Sequence, residues 1–160
     1  MDDYILSCCS TADRSKEFFD EHGIIYACFH YHIGDEEFVD DLGQSVSFSA
    51  FYEKMRNGAE PETSQVNSDQ FIELWEPVLQ SGKDILHVTL SSGISGVHNS
   101  ANIAAQEMRE KYPERQVRVV DSLGASSGYG LLMEYLAEQK EQNKSLEEVA
   151  QWAEEYKLHL

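Results

Sequence analysis

The run Ile85-Leu86-His87-Val88-Thr89-Leu90, followed by Ser91-Ser92-Gly93-Ile94-Ser95-Gly96 and then by Val97-His98-Asn99-Ser100-Ala101, constrains the fold more than any other stretch. Its first part reads as a buried strand, and its last part opens a helical pattern with Val97, Ala101, Ala104, Ala105 and Met108 on one face. A loop of small hydroxyl and glycine residues between a strand and a helix leaves backbone N–H groups unpaired at the helix start. The positive end of the helix dipole lies there too. Such a place suits an anion. The loop's surroundings narrow the kind of anion: no Lys or Arg occurs from Asp84 through Met108, and the G-x-x-x-x-G-K-[ST] pattern is absent. A singly charged group such as a carboxylate therefore fits better than a nucleotide tail. The blander counterpart is a serine-capped helix start that holds no ligand.

Around this stretch the pattern alternates between strand and helix. Tyr4-Ile5-Leu6-Ser7-Cys8 reads as a strand, Ser10-Thr11-Ala12-Asp13 as capping residues, and Arg14 to His22 as a short helix ended by Gly23. Ile24 to Ile33 alternates with period two and reads as one half-buried strand, with a turn at Gly34-Asp35 into a short arm, Glu36 to Val39. A helix from Ser47 carries the stripe Phe48, Phe51, Tyr52 and Met55, expected in the core. A loop from Ala59 to Asn67 holds Thr63-Ser64, and a helix from Ser68 carries Phe71, Leu74, Trp75 and Val78, with Pro77 expected to kink or end it. Val117 to Val120 is a further strand. A helix through Lys140 follows, then a last one opened by the capping box Ser145 and Glu148 and burying Val149, Trp152, Ala153 and Tyr156. The order implies an α/β fold: an open, mostly parallel sheet with helices on both faces and right-handed crossovers. Ligands bind such sheets at the carboxyl ends of the strands, where the serine loop lies.

One hundred and sixty residues, 41% of them apolar, suit a single domain over 1–160 with a real core. Twelve basic against 29 acidic side chains give a formal charge of −17, which repels nucleic acid and anionic membrane surfaces. No apolar run approaches the ~20 residues of a membrane span. Asp2 and Asp3 stand where a signal peptide would be basic, so a cytoplasmic location is expected. The three cysteines, Cys8, Cys9 and Cys28, make no disulfide framework.

Ser10-Thr11-Ala12-Asp13, Thr63-Ser64-Gln65, Leu90-Ser91-Ser92-Gly93-Ile94-Ser95-Gly96, Asn99-Ser100-Ala101 and Val120-Asp121-Ser122 together resemble, in order and spacing, the DegV family of bacterial fatty-acid-binding proteins. The resemblance implies a carrier without catalytic activity or cofactor. It would hold a long-chain fatty acid by its carboxylate, bury the tail in an apolar tunnel and present the acid to a fatty acid kinase. Carried across, Thr63 and Ser95 are the carboxylate ligands, with Ser64 and Ser92 as close neighbours. Two departures stand out: Ser95-Gly96-Val97 replaces the usual S-G-T, and Cys9 precedes S-T-A-D where an acidic residue is usual. Family members also carry a second domain, so the chain is read as the first domain alone. Its half-open groove is then expected to weaken lipid affinity or to cause self-association.

Two rival readings use other residues. Gly93-Ile94-Ser95-Gly96-Val97 resembles the G-x-S-x-G nucleophile elbow, which would make Ser95 the nucleophile of a serine hydrolase. Such an enzyme also needs a base, and His98 lies only three residues away, not on a separate loop after an acid. Val97, moreover, stands where the second glycine belongs. Cys28, His30 and His32 share one strand face and could, with Cys8 or Cys9, form a zinc set, although solvated histidines beside a buried cysteine are the simpler reading. Cys9, at a helix start, reads as a small buried residue before it reads as a reactive thiol.

Overall fold

The structure, a computed structural model, describes residues 3–160. Its elements are β1 (Tyr4–Cys9), a 3₁₀ turn (Ser10–Ala12), α1 (Lys16–Glu21), β2 (Ile25–Ala27), β3 (His30–Ile33), β4 (Glu36–Val39), α2 (Phe48–Arg56) and β5 (Pro61–Ser64). They continue with α3 (Ser68–Gln80), β6 (Asp84–Thr89), α4 (Val97–Lys111), β7 (Val117–Asp121), α5 (Ser126–Glu141) and α6 (Leu146–Tyr156). β2-β1-β6-β7 form a four-stranded, wholly parallel sheet, and β4-β3-β5 form a three-stranded antiparallel one.

Side chains alternate across the parallel sheet, so each strand feeds both layers. On one face His87 lies 4.9 Å from the Phe71 ring and 5.1 Å from Trp75, both on α3. On the other, Lys140 of α5 sits 5.4 Å over the Tyr4 ring. Helices thus cover both faces, as the alternating pattern predicts. The core between them is fully buried, with Leu6, Ile85, Leu86 and Val88 in the strands and Phe71, Trp75, Ala101, Met133, Leu136 and Val149 in the helices. Each large apolar side chain buried there contributes up to about 1.5–3 kcal/mol. Gly130 brings α5 against the 3₁₀ turn, because a Cβ there would overlap the Ala12 carbonyl oxygen.

Several local expectations need correction. Ile24 to Ile33 is not one strand: β2 belongs to the parallel sheet and β3 to the antiparallel one. The break falls at Phe29, whose N–H donates to Ser10 Oγ at 3.1 Å and whose carbonyl accepts from Asp40 N at 2.8 Å, so loops take its backbone groups out of the main ladder. Thr63 and Ser64 lie in β5 and not in a loop, pairing with Tyr31 and His30, while Pro61 takes the first strand position, which proline tolerates. α1 is capped by Ser15, whose Oγ accepts from Phe18 N, and not by the Ser10–Asp13 hydroxyls. Pro77 does not end its helix, which runs to Gln80; the donor it lacks falls in the last turns, where only one helical bond is lost. The stripe on α2 is not core: Phe48, Tyr52 and Met55 are exposed and no residue of the helix is buried. Four helices already cover the parallel sheet, and the small second sheet offers α2 only the Tyr31 ring, edge-on to Phe51 at 5.1 Å, and the Phe38 ring, 5.4 Å under Lys54, among the described residues. On α6, Val149 and Ala153 are buried as expected, but Tyr156 is exposed and stacks on Trp152 at 4.9 Å. No helix among the described residues is long and apolar enough to cross a membrane.

Candidate functional site

A groove of about 370 Å³ opens between the antiparallel sheet, α2 and the carboxyl edge of the parallel sheet. Its wall is mainly aromatic and aliphatic, with Phe29, Tyr31, Phe48, Phe51, Tyr52, Val39, Val46 and Leu90, and its aliphatic hydroxyls are Thr11 and Thr63. Volume and lining suit an elongated apolar ligand. No Lys or Arg lines it, whereas Asp40 and Asp41 do. Burial would raise the Asp41 carboxyl, but hydrogen bonds from Ser45 and Gln44 outweigh it and hold the group below the usual carboxylate range. Asp41 thus adds negative charge; burial first, then the Asp40 and Asp41 carboxylates, push the Cys28 thiol up to about 11.

The serine loop stands where β6 becomes α4 and is pinned from three sides. Ser91 N donates to Gly124 O at 3.0 Å, and Ser92 N to Asp121 Oδ1 at 3.1 Å, which ties the loop to the end of β7. Burial by itself would raise Asp121; hydrogen bonds from Ser92 and from the Leu123 N–H, with the nearby His98, lower it instead, so it stays a charged anchor. The third tie comes from Gln65, just after β5. Ser95 Oγ donates to Gln65 Oε1 at 3.1 Å and accepts from Val97 N at 3.2 Å, while Gln65 Nε2 donates to Ser100 Oγ at 3.2 Å. Gly96 makes room for this, since a Cβ there would lie 3.0 Å from Gln65 Oε1. The N–H groups of Gly96, His98 and Asn99 have no acceptor among the described residues, leaving the start of α4 open to an anion.

The two motifs singled out in the sequence therefore meet, through a residue given no role there. Gln65, directly after Thr63-Ser64, bridges to Ser95, and Thr63 lines the groove. Ser64, Ser92 and Ser95 are not among the lining residues; Ser64 and Ser92 are exposed and Ser95 half-buried. The signal for Gln65 lay in T-S-Q itself, but its partner could be found only in three dimensions.

The rival sets do not assemble. His98 bonds Thr89 Oγ1 through Nδ1 at 3.1 Å and Asn102 through Nε2 at 3.0 Å, so it is no base for Ser95. His30 and His32 lie in the second sheet, away from Cys8 and Cys9 in β1, and no group of three His, Cys, Asp or Glu among the described residues could hold a metal. Cys9 is a buried thiol, pushed up to about 12 by burial, with Sγ 3.9 Å from His87 Nε2.

Comparison with known proteins gives the same direction. A DegV domain-containing protein of Clostridium perfringens is 38% identical over 160 residues, covering 100% of this chain and 55% of that protein. A DegV lipid-binding protein of Thermotoga maritima has a TM-score of 0.84 at 28% identity, covering 99% of this chain and 55% of its own. The fatty acid kinase B3 protein of Streptococcus pneumoniae, solved loaded with linoleic acid, has a TM-score of 0.80 at 26% identity over 98% of this chain and 54% of its own. The chain thus spans about half the length of the relatives it matches. The family model described as "Uncharacterised protein, DegV family COG1307" matches residues 9–160, and the chain belongs to that family.

Proposed function

We propose that the chain binds a long-chain fatty acid through its carboxylate and acts as a carrier that hands the acid to a fatty acid kinase, doing no chemistry itself. The head group sits between the end of β5 and the serine loop, held by Thr63 and Ser95 with Ser64 and Ser92 close by and by the open N–H groups at the start of α4. The tail lies along the groove wall. The observation that carries this reading is the juxtaposition of an apolar groove with a strand-to-helix loop that has open N–H donors, no cation and a hydroxyl on either side.

The energetics divide between tail and head. Each methylene buried contributes about 0.8 kcal/mol, so the tail supplies most of the affinity. Hydrogen bonds to a charged group contribute about 1.5–3 kcal/mol each and fix orientation, since the same oxygens would otherwise be hydrated. A carboxylate placed at the Asp40–Asp41 side would meet like charge, which favours the hydroxyl side. The lipid-binding Thermotoga neighbour and the linoleate-loaded kinase B3 protein support the ligand class, and the latter supports the partner.

Mass spectrometry of lipid extracted from purified protein tests the reading: stoichiometric fatty acid is expected, and its repeated absence from well-folded protein overturns it. With the aromatic wall of α2 exposed, the chain is expected to hold lipid less tightly than its longer relatives or to self-associate through that face. Gel filtration showing a clean monomer, together with undiminished affinity, counts against this.

A further inference from the structure

We infer that Gln65 is a positioning residue whose side-chain amide turns over when the carboxylate binds, releasing the Ser95 hydroxyl proton to the ligand. The inference rests on the head-group site described under the proposed function and adds to it the residue that arms Ser95.

The argument is a proton count. A serine hydroxyl has one hydrogen to donate and two lone pairs to accept with. Ser95 Oγ uses a lone pair on Val97 N–H at 3.2 Å and its hydrogen on Gln65 Oε1 at 3.1 Å. In that state it has nothing to give an anion. The other end of the Gln65 amide donates from Nε2 to Ser100 Oγ at 3.2 Å.

Turning the amide by half a revolution about its last torsion exchanges Oε1 and Nε2 and leaves both heavy-atom separations in place. Nε2 then donates to Ser95 Oγ, and the Ser100 hydroxyl rotates to donate to Oε1. Ser95 accepts from Val97 N–H and from Gln65, and its hydrogen points away, free for a carboxylate oxygen. Both orientations keep every hydrogen bond, so the turn costs little by itself, and a bound anion selects the second. Gly96 provides the clearance: a Cβ there would stand 3.0 Å from Oε1 and 3.2 Å from Nε2, pressing on the amide in either orientation. Ser100, on the first turns of α4, is thus the far end of a short relay from Ser100 through Gln65 and Ser95 to the ligand.

Side-chain amide NOEs of Gln65 in the wild-type chain, recorded with and without palmitate, read the turn directly. The free protein is expected to show contacts from the amide protons to Ser100 Hβ, and the palmitate-bound protein to Ser95 Hβ. Contacts that stay on Ser100 with palmitate bound overturn the inference. A second measurement compares affinities for palmitate and for hexadecanol, which has the same chain but no carboxylate. In Gln65→Met no amide oxygen holds the Ser95 hydrogen, so the preference for the acid is expected to rise about two- to tenfold, with hexadecanol affinity little changed; a preference that falls instead overturns the inference. In a Ser95→Ala background the same substitution should leave the preference nearly unmoved, because the effect runs through Ser95. Equal losses for acid and alcohol, or full additivity of the two substitutions, reduce Gln65 to a structural tie and overturn the inference. A wild-type chain that binds hexadecanol as well as palmitate removes the head-group site itself, and this inference with it.

Discussion

The two sheets of this molecule are built to different ends. In the parallel sheet most side chains are buried and the buried polar ones are paired: Ser7, at 0% exposure, bonds His87 Nδ1 at 2.8 Å and Trp75 Nε1 at 3.3 Å, and Tyr129 ties the backbones of Cys9 and Val88 together. On α2, by contrast, two aromatic side chains stand more than half exposed, Phe48 at 61% and Tyr52 at 54%, and in the antiparallel sheet Tyr31 and Phe38 are only half-buried. The first region spends its apolar surface on the fold. The second keeps apolar surface uncovered, which a domain does at a cost in solubility and which marks a binding face.

This difference can be broken by substitution. Trp75→Ala is expected to destabilise the fold by about 3–5 kcal/mol, measured by chemical denaturation, because it opens a cavity and removes one of the two partners of the Ser7 hydroxyl. Thr63→Val should leave that midpoint nearly unchanged and Ser95→Ala should cost about 1 kcal/mol of stability through its bonds to Gln65 and the Val97 N–H, while each weakens fatty acid retention by about 1–3 kcal/mol, read by competition with a fluorescent fatty acid. Stability should also depend on pH through the buried region. Burial, with the nearby His98, lowers His87 to about 3, so the native state keeps it neutral while the unfolded chain takes up a proton below the ordinary histidine value. The unfolded state then binds more protons throughout that window, so stability rises with pH and is lost on acidification between about pH 6.5 and 3, by up to about 1.4 kcal/mol per unit. Denaturation midpoints across that range check it, and His87→Gln should flatten the slope. The smallest effect on folding is expected at the groove: Phe48→Ala should change stability by less than about 1 kcal/mol while speeding lipid release, which stopped-flow displacement reads. A destabilisation as large as that of Trp75→Ala would mean that α2 belongs to the core after all.

What could be read from the residues follows the strength of local signals. The strand–loop–helix unit at Ile85–Met108 was legible because a buried strand, a glycine and serine loop and a helical apolar face are each set by neighbours in sequence. The capping box at Ser145 and Glu148 and the turn at Gly34-Asp35 were legible for the same reason, Gly34 having φ +61°. The Phe29 break was not, since it depends on Ser10 and Asp40 taking one residue's backbone groups, and period-two alternation runs on through it undisturbed. Nor was the fate of the Phe48–Met55 stripe, because an amphipathic helix reads alike whether its apolar face meets a core or a ligand groove.

Sequence by itself determined the alternating α/β order and the cation-free serine loop, since these rest on residue type and short-range spacing. Tertiary structure alone decided that Gln65 would clasp Ser95 across 30 positions, and that the aromatic face of α2 would stay uncovered. Such contacts depend on which surfaces remain free once the parallel sheet has taken its helices, and no local pattern carries that information.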